Sequence, residues 1–243
     1  MQTNKAIKAI KAIKAIILLG GKGTRLSALF PDIPKALAPV AGRPFLEWQL
    51  DWLFANQVKQ VLLAAGHMGD KIEYWVKQQP FNDQVSVSIE PMPLGTGGAV
   101  KYAVQSGAKE SFWVLNGDSL LPDLNFAYME KAHHESCAMG TIAVTAMKDS
   151  GRYGTIASDK SGKITRFEEK KNRGPGLINA GVYLLDPAIL PVIAPDKNVS
   201  IENEIFPKLA AEGKLSVFQA KPPLLDMGTP EGLKNMENYL VKA

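Results

Sequence analysis

The sequence predicts an α/β protein with a doubly wound, mostly parallel sheet and a mixed, partly antiparallel second half. Three observations carry this. Short apolar runs at 16–19, 61–65, 85–89 and 112–115 recur through the first half. Helical stretches at 45–53, 69–78 and 97–107 lie among them. Each run ends in a polar or glycine-rich loop. Apolar runs too short for helices, interleaved with helical segments, give a parallel sheet covered on both faces. Ligands of such sheets bind outside the carboxyl ends of the strands, which is where these loops fall.

The first run, Ile16-Ile17-Leu18-Leu19, enters Gly20-Gly21-Lys22-Gly23-Thr24-Arg25-Leu26. Glycines there let backbone N–H groups approach a polyanion, and Lys22 and Arg25 add fixed positive charge. The loop therefore suits a phosphate, and a nucleoside triphosphate above all. A Walker A loop is excluded because no Lys precedes Thr24; a dinucleotide fingerprint is disfavoured because Leu26 stands at the third glycine position. An ordinary glycine-rich strand-to-helix loop remains the alternative at this point.

Pro44 opens the 45–53 helix, where Leu46, Leu50 and Leu53 share one stripe. Trp48 and Trp52 are four apart and read as core packing. The run at 61–65 ends in Gly66-His67-Met68-Gly69, and Glu90 follows the third strand. Leu94-Gly95-Thr96-Gly97-Gly98-Ala99 opens a helix, with free N–H groups at its start. The fourth run ends in Asn116-Gly117-Asp118, where an Asp can hold Mg²⁺ near a triphosphate or simply form a turn. Beyond it, 138–147, 153–158, 163–168 and 178–184 read as strands with short connections, extending the sheet over one side of the site. Helices return near 187–193, 202–212 and 229–240, with Ser200 and Thr229 as N-caps. His133 and His134 read as a helix end and take no catalytic role.

Together these motifs resemble the sugar-1-phosphate nucleotidylyltransferase (pyrophosphorylase) family. Gly-Gly-x-Gly-Thr-Arg-Leu with Pro34-Lys35 resembles its signature, and Asn116-Gly117-Asp118 its metal aspartate motif. Asp226-x-Gly-Thr-Pro-Glu is similar to its second aspartate motif, Phe167-Glu168-Glu169-Lys170 to its sugar-phosphate segment and Asn179-Ala180-Gly181 to its sugar turn. The family usually places Pro after that lysine, where this chain has Lys171. The resemblance implies a Rossmann-like sheet of the nucleotide-diphospho-sugar transferase type. It implies in-line attack of a sugar 1-phosphate on the α-phosphorus of an NTP, with pyrophosphate leaving.

Carried onto this sequence, the resemblance makes Arg25, Lys35 and Lys170 catalytic and gives Asp118 and Asp226 to Mg²⁺. The nucleotide would meet Leu19, Gly20, Gly21, Gly23, Thr24, Gly66, Glu90, Gly95, Thr96 and Gly117. The sugar phosphate would meet Glu169, Lys170, Asn179 and Gly181. The branch most resembled uses GTP and D-glycero-α-D-manno-heptose 1-phosphate, for lipopolysaccharide or capsule synthesis. Pro34-Lys35-Ala36-Leu37-Ala38-Pro39-Val40, Gly42–Glu47 and Ser88-Ile89-Glu90 carry that likeness, and mannose-1-phosphate guanylyltransferases share much of it. A catalytically silent nucleotide-sugar regulator on the same fold and a Rossmann-type oxidoreductase are the alternatives of other classes. Arg25, Lys35, Asp118 and Asp226 together argue against the first, and Leu26 against the second.

Composition sets the remaining bounds. The net charge is +4, but Lys5, Lys8, Lys11 and Lys14 of a Lys-Ala-Ile repeat supply all of it, leaving 24 basic against 24 acidic residues. Basicity is therefore no argument for nucleic acid. Cys137 is the single cysteine, which fits a reducing cytoplasm, and no apolar run approaches membrane-spanning length. A secretory signal is disfavoured by a Lys at every third position of the tract, and a homo-oligomer is left open. The expected organisation is a repeat extension over 1–14 and one catalytic domain over 15–243.

Overall fold

A computed structural model describes residues 14–21, 29–104, 107–151, 153–168 and 174–242. Among them the largest sheet has nine strands. Its centre is β1 (Ala15–Leu19), which forms as a strand because it is a short apolar run buried on both faces. The small strands β2 (Pro39–Val40) and β3 (Arg43–Pro44) pair with each other. β4 (Val61–Ala65), β5 (Val85–Ile89) and β6 (Phe112–Asn116) then complete a parallel layer in the order β6-β1-β4-β5. Their carboxyl ends consequently lie on one edge, as the sequence predicts.

The short β7 (Ser119–Leu120) leaves that edge, and β8 (Gly140–Met147), β9 (Thr155–Ser158), β10 (Ile164–Glu168) and β11 (Gly176–Leu185) extend the sheet. β11 runs antiparallel to both β6 and β8, and its register shifts between Asn179 and Tyr183. Gly181 sits in that bulge at φ +72°, which a side chain would strain. β12 (Leu215–Ala220) pairs parallel to β8, and β13 (Leu225–Asp226) pairs antiparallel to β7.

Helices cover both faces. On one, α1 (Phe45–Ala55), α2 (Gly69–Lys77) and α4 (Phe126–Ser136) bury Leu46, Leu50, Leu53, Ile72 and Met129 against Ile17, Leu63 and Leu115. On the other, α3 (Gly95–Ala103) and α5 (Phe206–Ala211) bury Val100, Phe206 and Leu209 against Ile16, Leu62 and Val114. Odd and even positions of β1 thus feed different cores, the period of two made visible. A third cluster packs α6 (Pro230–Leu240) through Met236 and Leu240 onto Phe45, Leu120, Leu225 and Met227.

Several expectations shift. Helix 97–107 runs from Gly95 to Ala103. The 187–193 segment is a 3-10 turn containing Pro187 and Pro191. The 202–212 segment divides into a π-helical turn, Ile201–Ile205, and α5; Pro207 has no N–H to continue the preceding pattern. α4 and β12 were not anticipated as elements, although the two histidines do end α4. Ser200 and Thr229 cap as expected, accepting from Asn203 N and Gly232 N at 3.1 Å each. Trp48 donates to the Val40 carbonyl at 2.9 Å, and Trp52 packs edge-on against Phe126. The Lys-Ala-Ile tract lies outside the described residues up to Lys14, which pairs with Glu110.

Candidate functional site

A cavity of about 420 Å³ opens at the carboxyl ends of the parallel strands. Leu19, Gly20, Gly21, Lys35, Glu90, Gly95, Thr96, Gly117 and Asp118 line it, so nine positions singled out from the sequence converge. Gly66 adjoins it through Glu90. Asn179, Gly181 and Asp226 are not in its lining, although Gly181 packs against Asn116, which is. Gly23, Thr24, Arg25, Glu169 and Lys170 lie outside the described residues.

At one end is Glu90, just past β5, with its N–H bonded to the Ala65 carbonyl at 2.9 Å. Its carboxylate crosses the ends of β1 and β4, over Gly20 and Gly66. A Cβ at Gly66 would meet Glu90 Oε1 at 2.4 Å, and one at Gly20 at 2.9 Å. The missing side chains make the channel in which the carboxylate lies. Burial raises its pKa above the ordinary carboxylate value, opposed by the Leu94 N–H that donates to Oε2 at 3.2 Å.

At the other end, Lys35 Nζ donates to Asp118 Oδ2 at 2.6 Å. Lys35 is carried by the turn between Pro34 and Ala38, whose Ala38 packs in the third cluster with Leu120, Leu225 and Met227. The β7–β13 pairing sets Asp226 opposite Ser119, and Met227 N donates to the Asp118 carbonyl at 2.9 Å. Two aspartates 108 positions apart in the numbering are thereby neighbours through backbone pairing. Asp226 is held by Tyr153 OH at 2.9 Å and by Gly228 N at 2.7 Å.

This pair fits a divalent cation. Both donors are hard oxygens, and the Lys35 ammonium already meets Asp118 as a cation would. Among the described residues no group of three or more His, Cys, Asp or Glu could hold a metal ion. Two carboxylates suit Mg²⁺, which keeps several waters and takes further oxygens from substrate phosphates.

One support of this end escaped the sequence reading. Gln49 of α1 is fully buried, and its Nε2 donates to the carbonyls of Asn116 at 2.9 Å and Ser119 at 2.8 Å. It therefore clamps both sides of the Gly117-Asp118 turn. Gly117 itself passes so close to β1 that a Cβ would lie 2.5 Å from the Leu18 carbonyl. Gln49 sits among apolar residues at helical spacing, and its polar amide there was the available signal.

The Gly95–Gly98 loop is built for close packing as well as for a ligand. Cβ atoms at Gly95 and Gly98 would fall 2.5 Å from Val199 O and 2.6 Å from Lys197 O. The Thr96 hydroxyl, expected to meet the nucleotide, is spent inside the protein: it donates to Glu202 Oε2 at 2.6 Å and accepts from Ile201 N at 2.9 Å. Glu202 also lines the cavity, a place the sequence does not announce. Asn179, expected at the sugar, accepts from Gly181 N at 2.8 Å and donates to Tyr183 OH at 3.0 Å.

The geometry has parallels among known proteins. A family model described as nucleotidyl transferase matches residues 14–242. Over 219 residues the chain is 36% identical to the D-glycero-alpha-D-manno-heptose 1-phosphate guanylyltransferase of Campylobacter jejuni subsp. jejuni serotype O:2, covering 89% of this chain and 95% of that protein. It is 36% identical over 232 residues to the mannose-1-phosphate guanylyltransferase catalytic subunit beta of Xenopus tropicalis, covering 93% of this chain and 64% of that protein. The crystal structure of HddC from Yersinia pseudotuberculosis complexed with GMP-PN superposes with a TM-score of 0.82 at 31% identity, covering 94% of this chain and 99% of that one.

Proposed function

The chain belongs to the nucleotidyl transferase family, and on that premise we propose that it moves a guanylyl group from GTP to D-glycero-α-D-manno-heptose 1-phosphate. Pyrophosphate leaves and a GDP-sugar forms, the donor for a surface polysaccharide. Glu90 is the observation that carries the choice of base. A half-buried carboxylate in a nucleotide cavity suits two neutral N–H donors side by side, and the N1–H and N2 amino edge of guanine supplies them. Uracil and thymine would turn carbonyl oxygens toward the same carboxylate, which repels them.

The nucleophile, a sugar phosphate oxygen, is already anionic, so catalysis reduces to positioning and charge neutralisation. Lys35 brings its ammonium to the α-phosphate. The Gly20 and Gly21 amides and Arg25 hold the β- and γ-phosphates. Glu169 meets a sugar hydroxyl and Lys170 docks the 1-phosphate. Mg²⁺ on Asp118 and Asp226 would neutralise phosphate charge. The free thiol of Cys137, exposed at the end of α4, suits a reducing cytoplasm.

Mannose 1-phosphate is the second reading, favoured by the equal identity to the Xenopus tropicalis protein. A pyrophosphate-release grid with Mg²⁺ decides: GTP, UTP, CTP, dTTP and ATP against heptose, mannose, glucose and N-acetylhexosamine 1-phosphates. Release confined to GTP with the manno-heptose phosphate is expected. Release with a pyrimidine nucleotide would overturn the role of Glu90. A blank grid with GTP binding retained would point to a silent regulator.

A further inference from the structure

Asp226 has to be aimed before it can serve a cation. It ends β13, a strand of two residues, and a carboxylate there turns about its last bond unless both oxygens are held. Both are. Oδ1 accepts from Gly228 N at 2.7 Å, and a Cβ on Gly228 would lie 2.8 Å from that same oxygen. Oδ2 accepts from the Tyr153 hydroxyl at 2.9 Å. A carboxylate has about four acceptor positions, so a donor on each oxygen leaves room for a cation or for one of its waters. Asp118 is held differently, by the Lys35 ammonium at 2.6 Å. The phenol is neutral: it fixes the orientation of Asp226 and leaves the full carboxylate charge for the metal.

Tyr153 stands between β8 and β9, in a turn closed by its N–H donating to the Ser150 carbonyl at 2.7 Å. The start of this turn is anchored elsewhere. Ser150 is buried, and both its N–H and its hydroxyl donate to the Gly174 carbonyl, at 2.9 Å each. Gly174 follows Lys170 by four positions and precedes β11 by two. One short turn therefore touches the metal aspartate through Tyr153 and the chain between Lys170 and β11 through Ser150.

We propose that Tyr153 is a positioning residue for the divalent cation, and that its turn couples the cation to the sugar 1-phosphate. The coupling presupposes the function proposed above, with the cation on Asp118 and Asp226 and the 1-phosphate on Lys170. Sugar phosphate docked by Lys170 steadies the chain leading to Gly174, Gly174 steadies Ser150, and the turn steadies Tyr153 on Asp226. Coupling of this kind is reciprocal, so cation and sugar phosphate each tighten the other.

The test follows free Mn²⁺ by electron paramagnetic resonance as the full chain takes it up. The nucleotide is a GTP analogue with a methylene group between its α- and β-phosphorus atoms. Tyr153→Phe should weaken Mn²⁺ binding about tenfold, the scale of losing an outer partner of a metal ligand, with the melting temperature nearly unchanged. Saturating Mg²⁺ should restore most of its kcat with GTP, a rescue that a purely structural lesion would not show. The sugar 1-phosphate that wild type turns over should tighten Mn²⁺ about fivefold on wild type and not at all on Tyr153→Phe. Ser150→Ala, which keeps one of the two bonds to Gly174, should fall between them. Equal Mn²⁺ affinity for wild type and Tyr153→Phe would overturn the positioning role. Equal tightening by the sugar phosphate in all three proteins would overturn the coupling. Wild type that takes up Mn²⁺ but turns over no sugar 1-phosphate would overturn the transferase reading and the coupling with it, and the Mn²⁺ titration would still decide the role of Tyr153.

Discussion

The cavity handles negative charge in opposite ways at its two ends. Asp118 is matched by a cation, with Lys35 Nζ at 2.6 Å, and its turn is clamped by side-chain and backbone bonds from three other segments. Among the described residues the Glu90 carboxylate takes a single backbone N–H, from Leu94, and it lies in a channel that exists because Gly20 and Gly66 lack side chains. One carboxylate is arranged to meet positive charge and the other to meet neutral donors. The same functional group can therefore sit twice in one polyanion site, provided its surroundings divide the work between phosphate chemistry and recognition.

Asp118→Asn tests the cation-matched end and should have the largest effect. It removes the charge that Lys35 meets while keeping the shape, so turnover should fall by about 10²–10³-fold with the melting temperature nearly unchanged. A rate close to wild type would remove Asp118 from the chemistry. Gln49→Leu reaches the same end from behind. Freeing the carbonyls of Asn116 and Ser119 should lower activity roughly 10–100-fold and raise the Mg²⁺ concentration needed for half-maximal rate. If the melting temperature alone dropped, Gln49 would be a core residue and nothing more.

At the recognition end, Gly66→Ala pushes Glu90 Oε1, which would sit 2.4 Å from the new Cβ. The carboxylate can swing aside, so the fold should survive, and calorimetry should find GTP affinity weaker by about tenfold. Unchanged affinity would mean that Glu90 does not read the base.

The smallest effect separates site from scaffold. His133 is buried on α4, bonded through Nδ1 to Thr141 Oγ1 at 2.9 Å, and is not part of the cavity lining. Burial, with the neighbouring His134 charge, lowers its pKa below 6.5, and Asp186 opposes this. The unfolded chain then binds the extra proton first, so this contribution is present above the ordinary histidine value and is lost as pH falls through the folded one. Urea unfolding at about pH 8 and about pH 5.5 should show wild type losing more stability than His133→Gln. Equal losses would place the acid sensitivity elsewhere.

Much of this was legible beforehand for local reasons. β1, β4 and β6 announce themselves because short apolar runs buried on both faces have few other uses, and Gly20, Gly66 and Gly117 mark where the backbone is closely approached by Glu90 or by β1. α4 and β12 were harder, since neither Phe126–Ser136 nor Leu215–Ala220 carries a long apolar stripe. Thr96 shows the limit from the other side. Its place in a glycine-rich loop pointed to the nucleotide, yet its hydroxyl is taken by Glu202 and Ile201 N.

Residue order alone therefore settles the strand layer and the edge on which the loops gather, because these follow from apolar runs and glycine within a few neighbouring positions. Tertiary structure alone decides that Asp226 joins Asp118, that Gln49 holds their turn and that Thr96 serves Glu202. Those are pairings between segments roughly 65 to 110 residues apart, made by the β7–β13 ladder, by Gln49 of α1 and by the π-turn packing against α3, and a hydrogen bond across such a span leaves no spacing in the sequence to read.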